Sequence, residues 1–171
     1  MLLIMKKIKR IMLFIAIVIA MNSCTADTVE GSVDKSPTEA LVTNYSYNDS
    51  ELQTMKLIND YRLSVGLNAL EKVNHISYKC EEHNVYMIDN NVVNHNDFVE
   101  RSQNITSVLG AKKVGENVAY NYKTPEAALR AWLESPGHKQ NIEGDYTHFG
   151  ISVTTDAATG KKYYTNIFAK L

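Results

Sequence analysis

From Asp49 onward, apolar residues recur at three- and four-residue intervals: Leu52, Met55, Ile58, Tyr61 and Val65 share one face, and Gly66 follows. That spacing predicts an amphipathic helix with a glycine stop. A second helical stretch, about His75 to Asn90, carries Ile76, Cys80, Val85, Met87 and Ile88 and runs into the polar turn Asn90-Asn91. Asp97 to Gly110 reads as a short helix and loop. Val114 to Tyr120 alternates as a strand does, which places Val114, Glu116 and Val118 on one face. Thr124-Pro125-Glu126 is a helix start, with Thr as cap, Pro preset for the first turn and an acid at the positive end of the dipole. This helix runs through Trp132 and Leu133 until Pro136-Gly137 stops it, delivering His138 just past a rigid corner. Phe149 to Thr155 alternates, Asp156 to Gly160 turns, and Lys162 to Leu171 returns, predicting an antiparallel terminal hairpin. Tyr163 and Tyr164 point to opposite faces of that last strand, so only one of them is expected in the core.

The N-terminal region has a different grammar. Lys6, Lys7, Lys9 and Arg10 precede an uncharged apolar run from Ile11 to Met21, too short for a comfortable membrane span and patterned as an export signal. The run ends in Met21-Asn22-Ser23-Cys24, which resembles the lipobox of bacterial lipoproteins and makes Cys24 the expected lipidation site. A plain signal peptide with an incidental cysteine, or an uncleaved anchor helix, are the alternatives. Residues 25–48 are rich in Ser, Thr, Asp and Asn with no sustained apolar period, and read as a flexible tether. The expected organisation is therefore a signal peptide over 1–23, a tether over 24–48 and one domain over 49–171, exported and held at a membrane or cell surface through the lipid on Cys24.

Charge and cysteine usage narrow the partners. The 171-residue chain carries a net charge of −1; loss of residues 1–23 removes four basic and no acidic residues, leaving 14 Lys+Arg against 19 Asp+Glu, a net of −5. No dense basic surface is available for a phosphate backbone, so nucleic acid is excluded as an expected partner. With Cys24 assigned to the lipid, Cys80 has no disulfide partner, and its place on a helix stripe suits a small buried side chain better than a reactive thiol. His83, one turn from Cys80, is expected on the helix surface or partly buried.

Glu116 is the residue that most requires a reason, because a carboxylate between Val114 and Val118 falls on a face that other elements will cover. Burial would favour its neutral form, and only a nearby cation or metal would hold it ionised. No HExxH, CxxC, GxSxG or phosphate-loop pattern occurs, and no Ser or Cys is set beside the histidines as a nucleophile.

Read in order, Asn59-Asp60-Tyr61-Arg62, Asn94-His95-Asn96-Asp97-Phe98, Gly115-Glu116-Asn117, Trp132 with Ser135-Pro136-Gly137-His138-Lys139-Gln140-Asn141-Ile142, and Phe149-Gly150-Ile151-Ser152-Val153 closely resemble the CAP superfamily. These are the cysteine-rich secretory, antigen 5 and pathogenesis-related 1 proteins, also called SCP-like, and the resemblance is to their bacterial branch over about residues 49–171. It implies an α+β fold, a three-layer α-β-α sandwich with a central antiparallel sheet, and a cleft where two histidines and two acids converge. His95, Glu116 and His138 match the first histidine, the first acid and the second histidine. The second acid has no match in place: Ser135 holds its position, and Glu134 lies one residue earlier, about 100° round a helix. The resemblance suggests ligand binding in this cleft, with lipids, sterols, peptides or proteins as candidate ligands. Zinc or another divalent metal at His95, His138 and Glu116 would suit the nitrogen and oxygen donors. A metal-dependent hydrolase or peptidase of the cell envelope, with the same three residues catalytic, is the alternative, and an adhesion or host-interaction module is a third. Asn117 and Trp132 are expected at the cleft, where Asn117 and Asn141 more readily satisfy loop backbone groups than contact substrate, and Trp132 is a core anchor whose indole could form a cleft wall.

Overall fold

A computed structural model describes residues 40–171, and Cys24 with the expected signal and most of the tether lies outside the described residues. Nine elements follow in order: helix α1 (Asp49–Ser64), strand β1 (Glu71–Lys72), helices α2 (Asn74–Asp89) and α3 (Phe98–Leu109), strand β2 (Lys113–Tyr120), helices α4 (Pro125–Glu134) and α5 (Pro136–Ile142), and strands β3 (His148–Thr155) and β4 (Lys162–Lys170). The sheet order is β1-β3-β4-β2. β2, β4 and β3 are antiparallel, whereas the two-residue β1 joins β3 in parallel, so the expected antiparallel sheet has one short parallel edge.

Strand alternation divides the core into two layers around the sheet. On one face Phe149, Ile151, Val153, Tyr164 and Phe168 pack with Met55 and Ile58 of α1 and Leu129 and Trp132 of α4. On the other, Ile167 and Ala169 meet Ile76 and Cys80 of α2 and Ile105 of α3, while Val118 and Tyr163 meet Met87. This is the expected three-layer sandwich. Because helices cover both faces, Tyr163 and Tyr164 are both buried, at 2% and 0% exposure, and the expectation of a single core tyrosine is corrected. At Gly150 α2 comes close against the sheet, since a Cβ there would collide with the Ser77 nitrogen and the Ile76 carbonyl carbon.

Two further departures from the sequence reading have local causes. Residues 40–48, grouped by composition with the tether, are bonded to the domain: the Val42 amide donates to His75 Nδ1 (3.2 Å), Asn74 Nδ2 to the Thr43 carbonyl, and Tyr47 Oη to Asn74 Oδ1. Asn48 caps α1 in a reciprocal box with Glu51. Pro136 opens a helix instead of ending structure, because Ser135 is extended (φ −94°, ψ 118°) and proline suits a first helical turn. His138 therefore sits on α5 itself. Cys80 conforms to the bland expectation: it is fully buried, its thiol faces the Gly150 carbonyl, and burial pushes its pKa well up. Among the described residues no helix is long and apolar enough to cross a membrane.

Candidate functional site

β2 is an edge strand, and the site is built along it from both helical layers. The Asn59-to-Arg62 turn of α1 contributes indirectly. Asn59 closes a two-way clasp with the Leu70 backbone (2.8 and 3.0 Å), and the buried Arg62 guanidinium donates to the carbonyls of Asn68, Ile142 and Gly144. Arg62 thereby fixes the C-terminal end of α5. Asn117, on the α4/α5 face of β2, donates to the His138 carbonyl (3.0 Å) and accepts from Asn141, which also donates to the Glu116 carbonyl. Asn117 is completely buried, and its side chain holds backbone in place, not ligand. Gly115 lacks a Cβ for a related reason, since one would stand 2.5 Å from the Tyr146 hydroxyl and 3.0 Å from Asn141 Oδ1.

Glu116 points to the opposite face, toward α2 and α3, with its side chain 1% exposed. Its counter-ion is Arg101 of α3. The guanidinium donates from Nε to Oε2 (3.0 Å) and from Nη2 to Oε2 and Oε1 (2.8 and 2.9 Å). Such a fork is the strong, directional form of ion pair. His95 adds Nδ1 to Oε1 at 2.8 Å from a half-exposed side chain. Arg101 also donates from Nη1 to the Asn96 carbonyl (2.6 Å), so one guanidinium anchors both the carboxylate and the loop that carries His95.

That loop has further staples. His83 of α2 lies within 2.9 Å of the Asn94 carbonyl through Nε2, and Asn96 donates to the Tyr86 hydroxyl, while Asp97 takes a left-handed turn (φ 57°) into α3. His83 is buried to 2% exposure, deeper than expected, and its Nδ1 finds no partner among the described residues. Donation to a carbonyl requires Nε2 to carry the proton, which leaves Nδ1 as the lone-pair nitrogen. Burial, reinforced by the Arg101 charge, lowers the His83 pKa. His138 is lowered too, first by burial and then by repulsion from His95.

Beside His138 a cavity of about 370 Å³ opens along β2, lined by Val93, Val118, Tyr120, Tyr122, Trp132 and Ser135. Trp132 is both anchor and wall: it is 1% exposed, its indole donates to the Val118 carbonyl at 3.0 Å, and it meets Tyr164 edge to face. Glu134 is exposed at the end of α4 and does not line this cavity. The structure thus brings His95 and Glu116 into contact, places His138 on the cavity lining, which neither His95 nor Glu116 joins, and leaves Glu134 outside. The sequence reading missed Arg101, although it named a nearby cation, beside a metal, as what would hold Glu116 ionised.

An α-β-α sandwich with a histidine-flanked cleft along its edge strand defines an SCP-like domain. The sequence profile of the CAP, cysteine-rich secretory protein family, matches residues 55–168, and the chain belongs to that family. It is 33% identical over 130 residues to the membrane protein YlbC of Bacillus subtilis, covering 71% of this chain and 34% of that protein. It is 30% identical over 132 residues to YkwD of the same organism, covering 71% of this chain and 51% of that one. The chain thus spans from a third to about half the length of these relatives. Among solved structures it is similar to an extracellular SCP-domain protein of Bacillus anthracis (TM-score 0.63, 28% identity, 71% of this chain and 40% of that chain). An outer surface protein of Borrelia burgdorferi (TM-score 0.65, 18% identity, 75% and 98%) shares the fold.

Proposed function

We propose that this chain is an exported CAP-domain protein, tethered through Cys24, that binds a ligand non-covalently in the cleft between His95 and His138. Export is supported by the basic and apolar leader and by relatives described as a membrane protein and an extracellular SCP-domain protein. The observation that carries the binding role is the state of Glu116. Both its oxygens accept from Arg101 and one also faces His95, so it is neither a free general base nor an open metal ligand. A divalent ion at this carboxylate would stand against a buried guanidinium, which raises its cost. In this arrangement the three expected ligands do not fit zinc together, and metal would fall to the His95 and His138 imidazoles alone. The same residues therefore support binding over hydrolysis.

The test is organic extraction and mass spectrometry of the chain purified from its membrane fraction, beside Ala131→Phe, which fills the cavity from α4. A small ligand near one equivalent, lost in the variant, is the expected result. No ligand above background, or equal amounts in both proteins, would overturn the reading. Zinc calorimetry provides the second arm, with weak heat or none expected. Tight zinc binding abolished by both His95→Ala and His138→Ala would instead restore the metal site.

A further inference from the structure

Two left-handed residues other than glycine bracket the segment that carries His95: Asn91 (φ 51°) and Asp97 (φ 57°). Asn and Asp tolerate this conformation best among residues with a side chain, and a loop position that absorbs a backbone change serves as a hinge. Between these two positions the segment is pinned from both neighbouring helices. From α2, His83 Nε2 donates to the Asn94 carbonyl (2.9 Å) and the Tyr86 hydroxyl accepts from Asn96 Nδ2. From α3, Arg101 donates to the Asn96 carbonyl. Val93 belongs to the same segment and lines the cavity beside His138, so the pins also hold one side of that cavity in place.

Of the three pinning side chains, only the imidazole changes charge near neutral pH. His83 is 2% exposed and stacks on Tyr86. With Nε2 already carrying the proton given to Asn94, a second proton would sit on Nδ1, which has no acceptor among the described residues. The charged and titratable groups around the ring are Arg101 from α3, Glu116 from β2 and His95 from the segment itself. Glu116 is already paired with Arg101, so a charged His83 gains little from the carboxylate and is repelled by the guanidinium. The protonated ring is therefore at home only where water reaches Nδ1. We propose that His83 is a proton-sensitive latch on residues 92–96: neutral, it holds Val93 in the cavity lining, and protonated, it requires solvent and lets the segment swing out, opening that side of the cavity. This regulation rests on the reading of the cavity as a ligand site. Because burial favours the neutral ring, the closed state is fully favoured above about pH 6.5 and loses ground below it, by up to about tenfold per pH unit. His95 works in the opposite direction, since a charge on it draws the segment toward Glu116.

Hydrogen exchange of the full chain, read by mass spectrometry on peptides covering residues 90–98 and corrected for the intrinsic rate at each pH, measures the opening without any ligand. Between pH 7.5 and 5.5 the unmodified chain is expected to lose protection in this segment by about threefold or more, while β3 and β4 stay protected far longer, as local opening requires. His83→Gln keeps an N–H for the Asn94 carbonyl and takes up no proton; it is expected to abolish the loss. His95→Gln removes the opposing charge and is expected to preserve or enlarge it. A loss below threefold in the unmodified chain, or the same loss in His83→Gln, would overturn the latch. If His83→Gln does not fold, His95→Gln decides: disappearance of the loss in that variant would assign it to His95 and overturn the proposal. Failure on any of these counts leaves the ligand reading standing, because that reading is tested by the extracted ligand and not by exchange.

Discussion

Replacing Arg101 by alanine tests the central electrostatic claim. The substitution leaves Glu116, with its side chain 1% exposed, facing only the half-exposed His95, and removes the donor that secures the Asn96 carbonyl. Removing one partner of a buried ion pair costs about 3–5 kcal/mol, because the remaining charge stays desolvated. Against the usual domain stability of about 5–15 kcal/mol this is a large share, and for a domain of this size it corresponds to a melting-point drop of roughly 10–20 °C. Urea unfolding of the wild type, Arg101→Ala, Glu116→Gln and the double variant supplies the numbers and the coupling energy. Arg101→Met with Glu116→Met is expected to recover most of the loss, since a well-packed apolar pair often replaces a buried ion pair at little cost. If Arg101→Ala loses less than about 1 kcal/mol, the value of an exposed pair, the claim that Arg101 neutralises a buried Glu116 fails.

Other perturbations probe the remaining supports. His83 and His138 both have folded-state pKa values below the ordinary histidine value, so their neutral forms favour the folded state. Their contribution is fully present above about pH 6.5 and declines as pH falls below it. Urea midpoints at pH 7.5 and 5.0 should show this loss, and His83→Phe should reduce it; an unchanged slope would argue against buried neutral His83. Gly150→Ala drives a methyl into the α2 backbone and should cost about 1–3 kcal/mol by thermal unfolding, as overpacking does. Trp132→Phe keeps a ring but leaves the Val118 carbonyl without its donor; a loss of about 1–3 kcal/mol is expected in the same assay. Cys80 should resist thiol reagents until the domain unfolds, and modification of the native protein at the rate of a free thiol would contradict its burial.

Local signals carried much of this architecture. Thr124-Pro125 and the Asp156–Gly160 turn encode their own geometry, so α4 and the terminal hairpin appear close to the expected positions. That Glu116 would stay ionised only beside a cation or a metal was equally legible, because strand alternation places that carboxylate under cover. Which cation answers it was not, since Arg101 reaches Glu116 only when α3 lies across β2, a contact between elements that no periodicity encodes. The same holds for Tyr163 and Tyr164: alternation assigns them to opposite faces, but only tertiary packing covers both faces. Residues 40–48 were misjudged because composition registers the lack of an apolar period and is blind to backbone groups that find partners such as His75.

A four-stranded sheet ends in two edges where neighbouring copies could attach, and this one manages them differently. The outer strand on one side is two residues long, too short to template a partner. On the other side, β2 is closed by Trp132 and Asn141, only 14 and 25 residues further along the chain from the carbonyls they cap. Its partner within the sheet comes later, since Tyr120 pairs with Tyr163 across 43 residues. Local contacts form faster than distant ones. The exposed side of β2 is thus shielded by the segment that follows it, before the hairpin that completes the sheet has to arrive. A chain shielded in this order is protected from edge-to-edge aggregation at its most vulnerable stage.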